Sequence, residues 1–172
     1  MLKPAILYKD IIEKRFAEQL YSDDYFWYTG YGTCTELPVI KSDGDGYYQW
    51  AIVRPKPKDM TEKEYYEKRD EYVIGYFAYR IHTETDTVCN FGLYSFDRGN
   101  IIIGFDVFNK MEELISEHRR MEWRMVGGNP IKKSYDKFCK RHNGHIAKLH
   151  QATKDIHGEY HDEYIYEILK EN

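Results

Sequence analysis

The segment "SFDRGNIIIGFDVFNKMEELISEHR", residues 95–119, decides how the rest of the sequence is interpreted. Two glycines, Gly99 and Gly104, enclose an Asn-Ile-Ile-Ile run that leads directly into a helical pattern. The stripe of that helical pattern is only partly apolar and consists of Phe105, Phe108, Met111, Glu112 and Ile115, with Val107, Leu114 and His118 widening it. Glycines let a backbone approach a ligand closely and adopt positive φ, and the N-terminus of a helix attracts anions. The turn is therefore either an ordinary strand-to-helix connection or a cradle for a phosphate group.

The composition predicts one soluble globular domain over residues 1–172. Of the 172 residues, 42% are hydrophobic and 31% are charged, which is typical of a folded chain with a sizeable core. The formal net charge of −4 disfavours a dedicated nucleic-acid-binding protein, although residues 131–145, "IKKSYDKFCKRHNGH", are locally basic. A solvated helix face is the simpler interpretation of that basic segment.

The cysteines and the N-terminus predict a cytoplasmic protein. Cys34, Cys89 and Cys139 are odd in number and widely spaced, and no zinc-binding spacing is present, so reduced thiols are expected. The N-terminus is charged too early for a signal peptide, and no apolar run approaches the length of a membrane span. The segment "HGEYHDE" (157–163) indicates a hairpin turn, so we predict no metal site there.

Hydrophobic periodicity predicts an α+β fold in which helices flank a mostly antiparallel sheet. Thr61 and Glu64 have the spacing of a capping box, and Asn143-Gly144 is typical of a helix C-cap. Helices are predicted over 4–22 (with Pro4 in the first turn), 58–72, from the glycine turn onwards, and 131–144. Strands are predicted over 47–56, 73–85, 87–97 and 120–130, followed by a closing hairpin of two strands.

This order of elements resembles that of the GNAT N-acetyltransferase superfamily over roughly residues 47–170. The matching segments are "DRGNIIIGFDVFNKMEELI" (97–115), "MEWRMVGGNPIKKSYDKF" (121–138) and "HGEYHDEYIYEIL" (157–169). They stand where the family has its pyrophosphate-binding turn and helix, its splayed fifth strand with the next helix, and its closing hairpin. The sequence also resembles the small acetyltransferase-like proteins of phages and their Gram-positive hosts.

The resemblance implies an acyl-CoA N-acyltransferase-like fold that binds acetyl-CoA between strands 88–96 and 121–126. Of the family motif Arg/Gln-x-x-Gly-x-Gly/Ala, Arg98 and Gly99 match the start and Gly104 the end. Ile101 stands in place of the middle glycine, and the run is one residue longer. The implied cofactor-binding residues are Leu93, Tyr94, Ser95, Phe96, Arg98, Gly99, Asn100, Ile103, Gly104 and Asn129.

In the family, the acceptor amine attacks the thioester directly, and a tyrosine after the fifth strand often protonates the departing thiolate. Tyr135 stands near that position, with the alternative that its ring fills the core beside Phe138. Asn129 is implied to contact the pantetheine or an adjacent backbone carbonyl, with the alternative that it only forms a turn. The fourth strand lacks the family's common glutamate. The remaining carboxylates, Glu84, Asp86 and Glu122, could reach the mouth of the site or lie in solvent, so no general base is assigned.

The resemblance therefore implies an N-acetyltransferase acting on a primary amine of unknown identity. The alternative is a non-catalytic GNAT-like protein that binds a protein or small ligand in a tyrosine-rich cleft; a nucleic-acid-binding role for residues 132–141 is a weaker third option. Residues 1–46 would form the acceptor side and 47–172 the cofactor-binding core, and a homodimer is left open. The aromatic residues expected near the acceptor are Tyr25, Phe26, Trp27, Tyr28 and Tyr31.

Overall fold

A computed structural model describes residues 1–19, 38–97, 99–155 and 157–170. Seven strands form one sheet: β1 (Leu2–Pro4), β2 (Tyr47–Val53), β3 (Val73–His82), β4 (Thr87–Ser95), β5 (Arg120–Val126), β6 (His145–Lys154) and β7 (Tyr160–Leu169). The α-helices within the described residues are α1 (Lys9–Gln19), α2 (Glu62–Glu67), α3 (Arg69–Tyr72), α4 (Ile101–Glu117) and α5 (Lys132–Arg141).

The sheet is mostly antiparallel, which confirms the predicted fold class. Its strand order is β1-β2-β3-β4-β5-β7-β6, and the neighbours β4 and β5 are parallel while every other neighbouring pair runs antiparallel. The long helix α4 connects β4 to β5, as a parallel pair requires a crossover. No helix among the described residues is long and apolar enough to span a membrane.

The N-terminal helix begins later than its apolar pattern predicts. Residues Leu2–Pro4 form β1, which pairs with β2, and a 3₁₀ turn at Ala5–Tyr8 precedes α1. Pro4 therefore ends an edge strand, where a missing N–H is tolerated, and does not lie in a helical turn. The predicted stretch 20–22 lies outside the described residues.

Apolar side chains fill both faces of the sheet. The larger cluster lies beneath α4 and α5, and the smaller one beneath α1, where Ile12 and Phe16 are buried. The buried face of α4 is Ile103, Val107, Met111 and Leu114. Phe105 was predicted on that stripe, but 69% of its surface is exposed. Val107, Met111 and Leu114 belong to the predicted stripe or its widening, so the prediction is wrong for Phe105 and misses Ile103.

Two of the predicted helix boundary signals are confirmed by their hydrogen bonds. The Thr61 hydroxyl accepts from the Glu64 N–H at 3.2 Å, and the Thr61 N–H donates to the Glu64 carboxylate at 2.9 Å. At the end of α5, Asn143 adopts a φ of 54°, and the Gly144 N–H donates to the Cys139 carbonyl at 2.8 Å. The backbone groups at the start of α2 and at the end of α5 are thus paired by the local hydrogen bonds that the sequence predicts.

Gly144 is also required by close packing. A Cβ at this position would lie 2.5 Å from the Cys139 Sγ and 2.6 Å from the Glu167 carbonyl oxygen. We expect Gly144→Ala to lower the free energy of unfolding by about 2–4 kcal/mol in urea titrations, because β7 or α5 must move. Gly44→Ala is the control, since its Cβ would meet no atom within 4 Å. Equal stability of both variants would contradict this assignment.

Candidate active site

The parallel strands β4 and β5 diverge and open a cleft in the sheet. Their register consists of Thr87 opposite Arg120 and Val88 opposite Met121, after which the described parts of the two strands form no further ladder pairs. A cleft of about 1160 Å³ occupies the space beyond them, and Leu93 and Met125 are on its two sides. Backbone groups that a continuous sheet would pair are therefore available to a ligand at this point.

Most of the residues implied by the family resemblance border this cleft. Those that line it are Leu93, Tyr94, Ser95, Gly99, Asn100, Ile103, Gly104, Asn129 and Tyr135. Phe96 is not among them: its ring packs against Phe16 and Tyr94, with ring centroids 5.5 Å apart in each pair, and its N–H donates to the Ile74 carbonyl. The Phe96 side chain therefore belongs to the core beneath α1 and does not border the cleft, and its assignment to the cofactor stays a prediction. Arg98 lies outside the described residues.

The glycine turn places the N-terminus of α4 at the cleft. Gly99 has a φ of 78°, a region that favours glycine, and Asn100 caps the helix by accepting from the Ile102 N–H at 3.1 Å. Gly104 lies within the first turns of α4, and a Cβ built there would meet no atom within 4 Å. The absence of a side chain at Gly104 thus leaves open space in the cleft wall and is not explained by packing.

An acidic residue that sequence reasoning missed lies next to this turn. The Asp97 carboxylate accepts from the Asn100 side-chain amide at 2.8 Å and forms an ion pair with Arg54. The hydrogen bond from Asn100 and the neighbouring Arg54 guanidinium lower the pKa of Asp97. No periodic pattern marks this pair in the sequence, because the two residues are far apart along the chain and both lie in connecting segments.

The ring of Tyr135 has the packing role that was its alternative, and the residue also borders the cleft. Its ring is buried in an aromatic group with Phe108, Trp123 and Tyr166, at centroid distances of 5.7–5.9 Å. Its hydroxyl forms no hydrogen bond with the described residues, and the side chain also borders the cleft. Burial raises the pKa of Tyr135, so that the phenol keeps its proton at neutral pH.

Asn129 has the turn role that was its alternative. Its side-chain oxygen accepts from the Ile131 N–H at 3.1 Å, and its carbonyl accepts from the Lys132 N–H at 3.0 Å, so it shapes the start of α5. Asn129 also lines the cleft. The left-handed conformation in this turn is adopted by the preceding residue, Gly128, whose φ is 88°.

Part of the basic helix α5 faces the cleft. Lys137 and Arg141 both line it, and Arg141 forms an ion pair with Glu112 of α4, which also contacts the His142 Nε2 at 3.0 Å. Glu112 is the one carboxylate among the described residues of the cleft wall. Its carboxylate oxygens are already engaged by these two neighbours.

The carboxylates proposed near the mouth of the site do not lie there. Asp86 accepts from the Arg119 N–H at 2.8 Å and from His118, at the closed end of the β4–β5 pair, and Glu84 is in the same turn. Glu122 pairs with Arg120 at 2.7 Å on β5. The hypothesis that Glu84 or Asp86 reaches the mouth is therefore wrong. The aromatic residues at 25–31 lie outside the described residues.

The hairpin between β6 and β7 contains a group of potential metal ligands. Atoms of Asp155, Glu159 and His161 lie within 4.8 Å of one another. The Asp155 carboxylate already accepts from the N–H groups of His157 and Glu159, both at 2.9 Å, and contacts the His161 ring at 2.7 Å. These contacts account for the arrangement as a tight turn.

The buried tyrosines predict a loss of stability at high pH. Burial raises the pKa of Tyr79 to about 12 and also raises the pKa of Tyr135 and Tyr166. Unfolded tyrosines ionise near pH 10, so above that pH the unfolded state releases protons that the folded state retains. We expect the free energy of unfolding to fall by up to about 1.4 kcal/mol per pH unit for each of the three.

Urea titrations between pH 8 and pH 11.5 measure this loss. Below about pH 9 the three groups are protonated in both states and should contribute no pH dependence. Tyr79→Phe should remove one of the three contributions and make the alkaline slope shallower. An unchanged slope in this variant would show that Tyr79 ionises normally in the folded protein.

Comparison with known proteins identifies the architecture. The sequence matches no protein-family model and no curated protein. A solved protein from Chromobacterium violaceum ATCC 12472, described as a GNAT-family acetyltransferase, superposes with a TM-score of 0.57 at 13% identity, covering 98% of this chain and 85% of that one. The fold is that of the GNAT acetyltransferases.

Two further structures share the GNAT fold over nearly the whole chain. Arabidopsis thaliana NAA60, solved with a bisubstrate analogue, gives a TM-score of 0.56 at 15% identity, and 99% of each chain is covered. An acetyltransferase-like protein of T. thermophilus gives 0.58 at 13% identity, covering 98% of this chain and 85% of that one. Both structures therefore support the same fold over nearly the whole chain.

Proposed function

We propose that this protein is an N-acetyltransferase that moves an acetyl group from acetyl-CoA to a primary amine. The observation that carries the proposal is the cleft between β4 and β5, which opens beside the N-terminus of α4 at Gly104. A cleft of about 1160 Å³ is large enough for a ligand of this size. The GNAT fold of the chain supports the same function by analogy.

The residues present fit an anionic cofactor. The helix dipole of α4 favours a diphosphate at its N-terminus, and the bare backbone at Gly104 lets such a group approach. Lys137 and Arg141 at the cleft wall would pair with a further phosphate. We assign Leu93, Tyr94 and Ser95 to binding the pantetheine arm of the cofactor, because β4 does not pair with β5 along these residues.

The cofactor would supply an activated acetyl thioester, and the protein would handle the protons. Tyr135 is the residue we assign to protonating the departing thiolate, since it follows β5, borders the cleft and carries its phenolic proton at neutral pH. An amine with a lysine-like pKa near 10.4 is about one part in a thousand neutral at pH 7 and must lose a proton. We assign no side chain as base, and a chain of waters from the cleft to solvent would serve.

The acceptor would enter from the side of α1. Phe16, Pro38, Tyr76 and Tyr94 line the cleft there, which supports an acceptor segment within residues 1–46 and a cofactor-binding core over 47–172. These aromatic walls favour an acceptor that presents apolar or ring-shaped surface next to its amine. A cytoplasmic location stays a prediction.

One observation favours the alternative, a non-catalytic protein with a GNAT fold. Asp97 brings a negative charge to the turn, and Asn100 already occupies the N–H of Ile102. Occupation of this N–H weakens the attraction of the turn for a diphosphate compared with a bare glycine turn, and so would the charge of Asp97 if Arg54 did not pair with it. In that case the cleft would hold a protein segment or another small ligand.

Calorimetric titration of the purified protein with acetyl-CoA tests the proposal. We expect saturable binding with a Kd in the micromolar range and weaker binding of S-acetylpantetheine, which lacks the phosphates. Absence of binding at millimolar acetyl-CoA would overturn the proposal and favour the non-catalytic alternative.

A further inference from the structure

Arg54, just after β2, contacts the turn that precedes α4. Its guanidinium pairs with the Asp97 carboxylate, although the two residues are 43 positions apart. The backbone of Arg54 is held on both sides: its N–H donates to the Tyr72 carbonyl at 2.9 Å, and its carbonyl accepts from the Tyr65 hydroxyl at 3.0 Å. The segment between β2 and β3 therefore presents Arg54 to the turn from a fixed position.

Asp97 in turn controls the capping residue of α4. The Asn100 side-chain amide donates to the Asp97 carboxylate at 2.8 Å, and the Asn100 side-chain oxygen accepts from the Ile102 N–H at 3.1 Å. The Asp97 carbonyl also accepts from the Ser95 hydroxyl at 2.9 Å. A continuous chain of contacts thus leads from Arg54 through Asp97 and Asn100 to the first turn of the helix.

The charge of Asp97 has opposite effects on the helix and on a bound phosphate. A carboxylate near a helix N-terminus stabilises the helix, but it repels an anionic ligand at the same end. An arginine paired with that carboxylate cancels most of the repulsion while leaving its hydrogen bonds intact. The Arg54–Asp97 pair therefore holds the turn in shape without a net negative charge.

We propose that Arg54 is a positioning residue for the phosphate end of the cleft. By neutralising Asp97, it leaves the N-terminus of α4 able to bind an anion, although Asn100 occupies one of its N–H groups and the middle glycine of the motif is replaced by Ile101. This inference rests on the proposed function, because it concerns the affinity for acetyl-CoA. It also makes the segment between β2 and β3 a determinant of that affinity.

Four proteins titrated calorimetrically with acetyl-CoA, the wild type and three variants, test the role of the charge. Arg54→Ala should weaken binding by about tenfold at low ionic strength, because one unpaired charge then faces the diphosphate through partly hydrated protein. High salt should shrink that difference. The double variant Arg54→Ala/Asp97→Asn should return to within about threefold of the wild type, since asparagine keeps an oxygen acceptor for Asn100 without the charge. Arg120→Ala, which breaks a similar ion pair at the closed end of β5, should bind acetyl-CoA normally.

The outcomes separate this inference from the proposed function. Loss of affinity in Arg54→Ala with recovery in the double variant supports the positioning role, and thermal unfolding of each variant reports on structural damage. Wild-type affinity in Arg54→Ala, or a double variant as weak as the single one, would overturn it while the proposed function stands. A wild-type protein that binds no acetyl-CoA would overturn both.

Discussion

Replacing Gly104 with tryptophan should reduce the affinity for acetyl-CoA by about 100-fold or more, because the indole would occupy the open space beside the first turns of α4. The folded structure should persist, since a Cβ at this position meets no atom within 4 Å and the side chain can extend into the cleft. Calorimetric titration measures the affinity, and thermal unfolding confirms the fold.

Two control variants distinguish blockage of the cleft from damage to the helix. Glu117→Trp places the same bulk at an exposed position in the last turn of α4 and should leave the affinity unchanged. Gly104→Ala should stabilise the protein by about 0.5–1 kcal/mol, since glycine is a poor residue within a helix. Normal binding by Gly104→Trp would show that acetyl-CoA does not lie against this turn.

Replacing Tyr135 with phenylalanine should lower kcat by about 100- to 1,000-fold, the usual contribution of a positioned proton donor. The Kd for acetyl-CoA should change by less than about twofold, because the aromatic ring and its contacts remain. The free energy of unfolding should change by less than about 1 kcal/mol, since the hydroxyl has no hydrogen-bond partner among the described residues. Steady-state kinetics and titration together measure these effects.

Tyr166→Phe is the matched control, because Tyr166 contacts the ring of Tyr135 but donates its hydroxyl proton to Asp136 at 2.8 Å. Loss of this hydrogen bond should lower the free energy of unfolding by about 1–2 kcal/mol and leave kcat within a few-fold of the wild type. If Tyr135→Phe retained full kcat, Tyr135 would have only its packing role and the thiolate would be protonated by solvent.

Local chemistry made much of the fold predictable. The capping box at Thr61, the turn at Asn143 and the hairpin between β3 and β4 all depend on residues that are close in sequence. Short elements without periodicity were missed: β1 has three residues, and only its pairing with β2 reveals it. The exposure of Phe105 was also unpredictable, because the pattern of α4 is apolar on more than one side.

The site was predictable only in part, since its shape arises from tertiary structure. The divergence of β4 and β5 leaves no trace in either strand's own pattern, and it was implied only by the family resemblance. Strand alternation does not decide the matter either: Tyr94 and Phe96 are two residues apart and share the face beneath α1, but only Tyr94 also borders the cleft. The Arg54–Asp97 pair joins two polar segments and carries no periodic signal.

The most direct test of the account is the release of CoA thiol from acetyl-CoA, followed spectrophotometrically while a panel of primary amines is supplied. The panel should span N-terminal peptides, lysine peptides and small aromatic amines. We expect amine-dependent release with at least one class, at a rate that falls strongly in Tyr135→Phe and Gly104→Trp. Tight binding of acetyl-CoA with no amine-dependent release across the panel would contradict catalysis and identify a cleft that binds without turnover.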